Sequence, residues 1–246
     1  MEVLLVRAAN PSPYTLDGTN TWVVGRDPAW VVDPGPALDP HLGAVAAAVA
    51  ARGGAGGIAL THDHPDHAGG LAALRSRLGD VPVGAMPGLG DGDAFGPFSA
   101  LHVPGHAADH LVFVTDRLAF TGDAVLGEGS VFLAAGGGSL AAYLDGLRRL
   151  RALGLERLCP GHGPVVDDPA AKLDGYIAHR LERERRIVAA LGAGARTHEE
   201  LLAAAWDEVP EGLRAAAGWT LQAHLEKLRE EGRLPPDAPA HRPSCT

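Results

Sequence analysis

The sequence contains little cysteine and no long apolar run. Its 246 residues include two cysteines, Cys159 and Cys245, which are too few to hold a chain of this size together as disulfides hold small secreted domains. No stretch reaches the roughly 20 consecutive apolar residues that a membrane-spanning helix needs, and the first residues lack a basic segment followed by a long apolar block. We therefore expect a cytoplasmic protein with reduced cysteines and no membrane partner.

Positive charge is also scarce. The chain carries 21 Lys and Arg against 30 Asp and Glu, which gives a net charge of −9 at pH 7. A protein that neutralises phosphates usually presents a basic surface, so this balance counts against nucleic acid as a partner. Apolar residues make up 46% of the chain and charged residues 21%, which is an ordinary globular composition and argues against wholesale disorder.

Short apolar runs alternate with helical stretches over the first two thirds of the chain, as is typical of an α/β fold. Strands are predicted at residues 2–7, 21–25, 29–33, 58–61, 81–85, 100–103, 111–115, 118–121 and 157–159. Helices are predicted from Asp39, whose side chain would cap the first turn, to the glycines at 53–54, and over 68–78 and 139–153.

The composition of the sequence changes after Pro164. A long charged helix is predicted over 170–191, and the Thr197 and Glu200 pair has the pattern of a capping box at the start of another helix. We expect a catalytic domain at 1–168, a linking helix at 169–193, and a small helical domain with a mobile tail at 194–246.

The densest group of chemical side chains is the segment HDHPDH at residues 62–67. It follows a predicted strand and precedes a predicted helix, a position where ligands gather in α/β folds. His62 and His64 are two residues apart, so their imidazoles can point to one side of an extended loop, and Asp66 and His67 follow at once. Imidazole and carboxylate suit zinc, although iron or manganese accepts the same ligands. A solvated polar loop is the alternative, but four candidate ligands in six residues favour a metal site.

Three later residues supply what a two-metal site would still need: His106, Asp123 and His162. Each comes just after a predicted strand and has glycine beside it, which lets the backbone turn tightly enough to place a short side chain in a shared cavity. Any one of them alone could be an ordinary turn residue. Together they predict convergence on one site.

The order HxHxDH, His, Asp and a late His resembles the metallo-β-lactamase superfamily over residues 1–165. The resemblance implies an αβ/βα four-layer sandwich with two packed sheets, helices on both outer faces and the site at one edge. It implies two divalent metals, with zinc favoured and iron or manganese as alternatives. One metal would be held by His62, His64 and His106, the second by Asp66, His67 and His162, and Asp123 would bridge them.

A second, narrower resemblance is to the lactamase-β-like protein 2 group, single-strand-specific endoribonucleases with a small winged-helix-like C-terminal domain. It rests on the segments 18–21, 106–110, 122–129, 160–164, 176–180 and 201–234. With Asp66 retained, the ligand pattern resembles that of glyoxalase II, and related members of the superfamily act on thioesters. Cys159 is interpreted as a buried strand residue without chemistry.

The resemblance implies hydrolysis by a metal-bridging hydroxide, with Asp66 and Asp123 as catalytic carboxylates and Asp66 passing a proton. Four residues are candidates for contact with the substrate or with a ligand: Asn20, His110, His179 and Arg180. The alternatives are a structural role for His110 and a solvated helix face for His179 and Arg180.

Three functions follow, of which cleavage of single-stranded RNA is narrowly favoured by the whole-chain resemblance and by the basic residues at 180–186. The second is hydrolysis of a small-molecule ester or of a thioester of glutathione, coenzyme A or a carrier protein. The third is a non-catalytic, metal-dependent binding module, but residues 213–231 mix both charges and do not form a basic recognition helix. That segment would instead wall the substrate cleft or form a homodimer contact.

Overall fold

Two five-stranded sheets form the centre of the molecule. The structure is a computed structural model that describes residues 1–133 and 138–239, so Cys245 and the end of the predicted tail lie outside the described residues. The first sheet has the order β1-β2-β3-β4-β5 and consists of β1 (Val3–Arg7), β2 (Asn20–Val24), β3 (Ala29–Val32), β4 (Ala55–Ala59) and β5 (Val83–Gly84). The second has the order β10-β9-β8-β7-β6 and consists of β6 (Ala94–Phe95), β7 (Phe98–His102), β8 (Leu111–Thr115), β9 (Leu118–Gly122) and β10 (Arg157–Pro160).

The inner faces of the two sheets pack on each other. Trp22 and Val32 of the first sheet meet Phe98, Phe113 and Phe120 of the second in one buried cluster. Alternate residues of each strand point to this layer, as the period of two along a strand requires. Cys159 belongs to the same cluster, and burial raises the pKa of its thiol to about 12, which agrees with its interpretation as an inert strand residue.

Helices cover both outer faces. The helices of the chain are α1 (Asp39–Ala50), α2 (Pro65–Ala68), α3 (Leu71–Leu78), α4 (Leu140–Ala152), α5 (Pro169–Gly192), α6 (His198–Ala205) and α7 (Arg214–Glu230). α1 and α3 pack on the first sheet through a cluster that includes Leu42, Val45 and Leu74, and α4 and α5 pack on the second through Leu147 and Leu173. The predicted four-layer sandwich is therefore confirmed.

Two local predictions were wrong. The Asp39 side chain does not cap α1, whose N-cap is Leu38 without a side-chain bond, because Asp39 forms an ion pair with Arg77 instead. The single helix expected over 68–78 is two helices: α2 starts earlier because Pro65 suits a first helical position, and two glycines separate α2 from α3.

The C-terminal helices form a separate apolar cluster with the end of α5. Ile187 and Leu191 of α5 pack against Leu201 of α6 and against Leu221 and Leu225 of α7. The capping box of Thr197 and Glu200 is present at the start of α6, as predicted. Among the described residues, every helix is too short or too polar to cross a membrane.

Candidate metal centre

The candidate ligands meet at one edge of the sandwich, beyond the carboxyl ends of four strands. β4 leads into residues 62–67, β7 into the loop with His106, β9 into Asp123 and β10 into His162. β3 runs parallel to β4, and β9 runs parallel to β10. The carboxyl ends of parallel strands lie at the same sheet edge, so side chains far apart in sequence converge there.

One group of three histidines lies on the side of the site nearest α4. His64 Nδ1 is 3.0 Å from His62 Nε2 and 2.9 Å from His106 Nε2. His62 is buried, whereas His64 and His106 are half-buried. These are the three histidines that the resemblance assigned to one metal.

A second group combines Asp66, His67 and His162. His67 Nε2 lies 3.2 Å from His162 Nε2, and Asp66 Oδ2 lies 3.2 Å from His162 Nε2 and 3.5 Å from His67 Nε2. His67 and His162 are buried, and Asp66 is half-buried.

Asp123 lies between the two groups and divides its oxygens between them. Its Oδ2 is 3.5 Å from His106 Nε2, while its Oδ1 is 3.4 Å from both His67 Nε2 and His162 Nε2. This is the placement that a bridging carboxylate requires.

The spacing of these atoms fits metal ions. A tetrahedral zinc site with bonds of ~2.0–2.1 Å places its ligand atoms roughly 3.3–3.4 Å apart, and the separations here run from 2.9 to 3.5 Å. Three sets of three donors have all their ligand atoms within 4.8 Å of one another. In addition, the buried Asp123 Oδ1 has no hydrogen-bond partner among the described residues, as expected of an atom that ligates a cation.

In each buried candidate ligand histidine, the ring nitrogen that faces away from the site is hydrogen-bonded to the protein. This bond fixes the tautomer and orients the other nitrogen toward the site. His67 Nδ1 donates to Asp33 Oδ2 at 2.8 Å. His62 Nδ1 donates to Thr61 Oγ1 at 3.0 Å, and that hydroxyl donates to the same Asp33 carboxylate at 2.8 Å. His162 Nδ1 lies 3.3 Å from the Gly18 carbonyl oxygen.

Asp33 was missed by sequence reasoning, which placed it at the end of a strand without a role. It is 2% exposed and also accepts the Thr61 backbone N–H at 2.7 Å. The available signal was its position: an acidic residue directly after β3, at the sheet edge where β4 delivers the HDHPDH segment.

The electrostatics of the site suit cations. Burial raises the pKa of Asp123, but His67 and His162 lower it more, so the pKa lies well below its ordinary value and the carboxylate is ionised. Burial, together with His67 and His110, holds the pKa of His62 well below 6.5, so its imidazole is neutral. Asp123 and His62 are therefore in the forms that bind metals. Burial lowers the pKa of His67 and His162, but the neighbouring carboxylates raise it more, to about 9 for His162 and well above 6.5 for His67, so a metal ion would take the place of a proton on these two rings.

Close packing explains the glycine beside His162. A Cβ at Gly161 would lie 2.5 Å from His67 Cε1 and 2.8 Å from Asp123 Oδ1. No side chain fits between these groups, so the tight turn predicted here also admits the neighbouring ligands.

His110 and Asn20 lie beneath the site and do not face the cleft. His110 is fully buried, stacks on His62 at a ring separation of 4.8 Å, and its Nε2 accepts the Asp123 backbone N–H at 3.0 Å. Asn20 is also fully buried and donates to the carbonyl oxygens of Pro160 and Gly163 at 3.0 and 2.9 Å. Both residues therefore contact candidate ligands or their neighbours, and this supports a positioning role.

The helix face with His179 and Arg180 is not solvated, and that interpretation was wrong. Arg180 is 2% exposed and donates to Ser130 Oγ at 2.9 Å and to the Val131 carbonyl oxygen. Burial, Arg180 and Arg183 lower the pKa of the half-buried His179 to about 4. The physical reason is that α5 lies between the second sheet and the C-terminal helices, which cover this face.

Side chains from three helices hold the loop that follows Asp123, defined here as residues 124–133. Tyr143 donates to the Ala124 carbonyl oxygen at 2.6 Å, and Tyr176 Oη accepts the Leu126 N–H at 2.9 Å. Lys172 donates to the Gly127 carbonyl oxygen at 2.9 Å, and Thr220 Oγ1 accepts the Leu133 N–H at 3.1 Å. No spacing in the sequence signals these contacts.

The same loop orients a candidate ligand. His106 Nδ1 donates to the Phe132 carbonyl oxygen at 3.1 Å, which leaves Nε2 to face the site. Phe132 lies between Val131, held by Arg180, and Leu133, held by Thr220. The C-terminal helices thus reach a candidate metal ligand through one short segment.

A cavity of about 430 Å³ opens onto the ligands His64, His106 and Asp123. Its other lining residues come from the loop before β2, from the 124–133 loop and from the C-terminal unit: Pro13, Tyr14, Leu16, Leu126, Glu128, Gly129, Ser130, Val131, Phe132, Leu213 and Trp219. A volume of this size lies within the range of about 300–1,000 Å³ of small-molecule sites. The C-terminal segment therefore walls the cleft, as one of the two sequence interpretations expected.

Comparison with known proteins agrees with this architecture. Residues 14–90 and 87–162 match the model of the metallo-beta-lactamase superfamily, and residues 197–235 match that of the beta-lactamase associated winged helix domain. A metallo-beta-lactamase family protein from Thermus thermophilus has the same fold, with a TM-score of 0.69 and 24% identity over 94% of both chains.

Two curated relatives match most of the chain. A beta-lactamase-like protein 2 homolog from Caenorhabditis elegans is 32% identical over 91% of this chain and 82% of its own length. An atrochrysone carboxyl ACP thioesterase from Aspergillus chevalieri is 33% identical over 87% of this chain and 76% of its own length. The resemblance expected from the order of the histidine and aspartate motifs is thereby confirmed, and the chain belongs to the metallo-beta-lactamase superfamily of hydrolases, with a winged-helix domain at its C-terminal end.

Proposed function

We propose that this hydrolase cleaves thioesters with two divalent metal ions, of which zinc is favoured. The two groups of ligands that share Asp123 would hold these ions. The observation that carries the proposal is the cavity over the ligands, because its described lining is mainly apolar and contains no lysine or arginine. Apart from the candidate ligands, Glu128 is the charged residue of its described lining. An acyl group fits such a lining, whereas the negatively charged phosphodiester backbone of RNA does not.

Of the four arginines at 180–186 that favoured RNA, two are buried and two lie beside an acidic side chain. Arg180 and Arg183 are 2% and 6% exposed, and Arg183 is paired with Glu208. The exposed Arg185 and Arg186 lie beside Glu182. Proteins that bind single-stranded nucleic acids combine a positively charged groove with aromatic side chains on which bases stack. The described cavity lining has aromatic side chains but no arginine or lysine.

The C-terminal helix also argues against nucleic-acid docking. Most of α7 is buried in the molecule, and its Lys227 is buried against Glu184 and Glu231 at 2.7 Å from each. A recognition helix must expose its polar face to a groove. RNA cleavage by a single-strand-specific enzyme therefore stays a prediction from resemblance, with less support from the site than thioester hydrolysis.

The name of one relative points the same way. The Aspergillus chevalieri protein is named a thioesterase of an ACP-bound carboxyl compound. Its match covers 87% of this chain, which is more than the catalytic domain alone.

The protein groups have separable roles in this proposal. Divalent ions held at the site would lower the pKa of water and polarise the carbonyl oxygen. Asp66 is the carboxylate for proton transfer: burial raises its pKa, but His162 and His67 together lower it more, so it is ionised and can accept a proton. Its 29% exposed side chain can reach an incoming water.

The test compares two substrates on one preparation. Protein reconstituted with Zn²⁺, and separately with Mn²⁺ or Fe²⁺, is assayed with S-hexanoyl-N-acetylcysteamine by thiol release and with a fluorescent single-stranded RNA by gel. We expect thiol release, loss of activity with a chelator, and intact RNA. RNA cleavage without thiol release, absent from an Asp123→Ala preparation purified in parallel, would overturn the proposal in favour of RNA, and a metal-loaded protein inert to both would overturn it as well.

A further inference from the structure

The cavity over the ligands has two apolar walls that come from opposite ends of the chain. Tyr14 and Leu16 form one wall, ahead of β2, and Leu213 and Trp219 form the other, in the winged-helix domain. Tyr14 is 52% exposed and Trp219 is 47% exposed. Two large aromatic surfaces therefore remain open to solvent beside the reactive centre.

We infer that this chain selects thioesters with a bulky, uncharged apolar acyl group, and that Tyr14 and Trp219 are the residues that determine this specificity. The inference rests on the proposed function and deepens it. An acyl chain with its carbonyl at the candidate ligands would extend into this cavity, because His64, His106 and Asp123 line it together with both apolar walls.

The geometry around Trp219 is fixed by its neighbours. The next residue, Thr220, is fully buried and its hydroxyl accepts the Leu133 N–H at 3.1 Å. The residue before Leu133 is Phe132, which lines the cavity and holds His106 through its carbonyl oxygen. The distance between the Trp219 wall and the metal ligands is therefore set by a short hydrogen-bonded path, as a pocket that measures acyl size requires.

The opposite wall is also anchored. Ser12 and Leu16 form an antiparallel bridge, and the Ser12 hydroxyl accepts the Thr15 N–H at 3.1 Å. Tyr14 lies at the tip of this closed turn. Its ring is thus presented on a defined loop, as the ring of Trp219 is presented on α7.

Charge in the cavity selects against an acidic acyl terminus. Glu128 is exposed and lies in the lining, and the described lining offers no arginine or lysine to pair with a substrate carboxylate. A carboxylate at the far end of the acyl group would be repelled by Glu128. It would also lose hydration on the apolar surface without gaining a partner. The cavity therefore favours neutral aliphatic or aromatic acyl groups.

The experiment measures kcat/KM for S-acyl-N-acetylcysteamine thioesters with acetyl, hexanoyl, decanoyl and benzoyl groups on the metal-loaded full chain. We expect the ratio of decanoyl to acetyl to exceed ~10 in the wild type, since each buried methylene contributes roughly a 4-fold factor. Trp219→Ala and Tyr14→Ala should each lower that ratio at least ~10-fold. Leu153→Ala, which removes an equally exposed apolar side chain outside the cavity, should leave the ratio unchanged.

A second measurement does not depend on turnover. Decanoate, the product acid, is titrated into the metal-loaded protein while tryptophan fluorescence is recorded. We expect a saturable change that Trp219→Phe removes, because the other three tryptophans lie outside the cavity lining. Circular dichroism confirms that each variant is folded.

The outcomes separate the two levels of the proposal. Hydrolysis of all four thioesters with a flat acyl ratio, or a ratio that neither Trp219→Ala nor Tyr14→Ala alters, overturns the specificity inference and leaves thioester hydrolysis standing. Absence of thiol release from every substrate overturns both.

Discussion

At the scale of single residues, the chemistry of the site depends on where Asp123 sits. Burial alone would favour the neutral carboxylic acid, but His67 and His162 keep the group ionised. Its two oxygens face different sets of histidines, and its backbone N–H is held by His110. The buried Oδ1 of this carboxylate has no hydrogen-bond partner among the described residues, which bound cations explain better than structural stability does.

Replacing Asp123 with alanine should remove the shared ligand of the two metal groups. We expect fewer metal ions per chain by elemental analysis and a fall in kcat/KM of at least ~10²–10³-fold, the loss typical when one stabilising group is deleted. Asp63→Ala is the matched control, since Asp63 lies in the same HDHPDH segment but is exposed and belongs to none of the candidate ligand groups. Two metals and full turnover in Asp123→Ala would show that the assignment is wrong.

At the scale of elements, the 124–133 loop connects the two parts of the molecule. Side chains of α4, α5 and α7 bond to its backbone, and its Phe132 carbonyl oxygen orients His106. Arg180 is one of two cations in this set, with Lys172, and it lies 5.7 Å from the centre of the Tyr143 ring. One of its terminal nitrogens, Nη2, donates to both Ser130 Oγ and the Val131 carbonyl oxygen, and its planar guanidinium lies against the Tyr143 ring, a combination that a lysine ammonium reproduces only in part.

Arg180→Met should loosen the loop at Ser130 and Val131 and weaken metal binding, measured by competition with a chromophoric chelator. We expect a loss of affinity of about 10–100-fold, as when residues that orient metal ligands are replaced, with partial recovery in Arg180→Lys. Arg185→Met removes an arginine from the same helix that is 75% exposed, and it should leave the affinity unchanged. Wild-type affinity in a folded Arg180→Met protein would contradict the role of the loop.

At the scale of the whole molecule, the interior of the C-terminal unit contains a buried neutral histidine. His224 is fully buried, and neither ring nitrogen has a hydrogen-bond partner among the described residues. Burial, together with Arg180 and Lys227, holds its pKa well below 6.5. The unfolded chain takes up a proton on this ring below about pH 6.5 and the folded chain does not, so stability is present above that pH and is lost as the pH falls.

His224→Leu should therefore reduce the acid sensitivity of folding. Between pH 7.5 and pH 5.5 the wild type should lose about 1.4 kcal/mol more unfolding free energy than the variant, from linkage to one titrating group. Urea unfolding followed by circular dichroism, with chelator present so that the metal ligands titrate alike in both proteins, gives the two differences. Identical pH dependence would mean that His224 becomes protonated in the folded state.

The sequence by itself determined the elements and the identity of the site. Strand and helix periodicity is local, so it predicted nine of the ten strands approximately and missed only the two-residue β6. Metal ligands are recognised by residue type and spacing, so the HDHPDH segment, His106, Asp123 and His162 could be named before their convergence was seen. The predicted helix ends near glycine and proline were less accurate than the predicted strands. The capping of a helix depends on contacts with residues distant in sequence, such as the ion pair of Asp39 with Arg77.

Only the tertiary structure decided what surrounds those ligands. The bond from His67 to Asp33, the burial of Arg180 and the meeting of Tyr14 with Trp219 at one cavity join residues far apart in the chain. Charged helix residues look solvated in sequence, and α5 is buried on one side because other layers pack on it. The proposed substrate preference rests on that packing, since the lining of a cavity depends on which surfaces come together and not on any one segment.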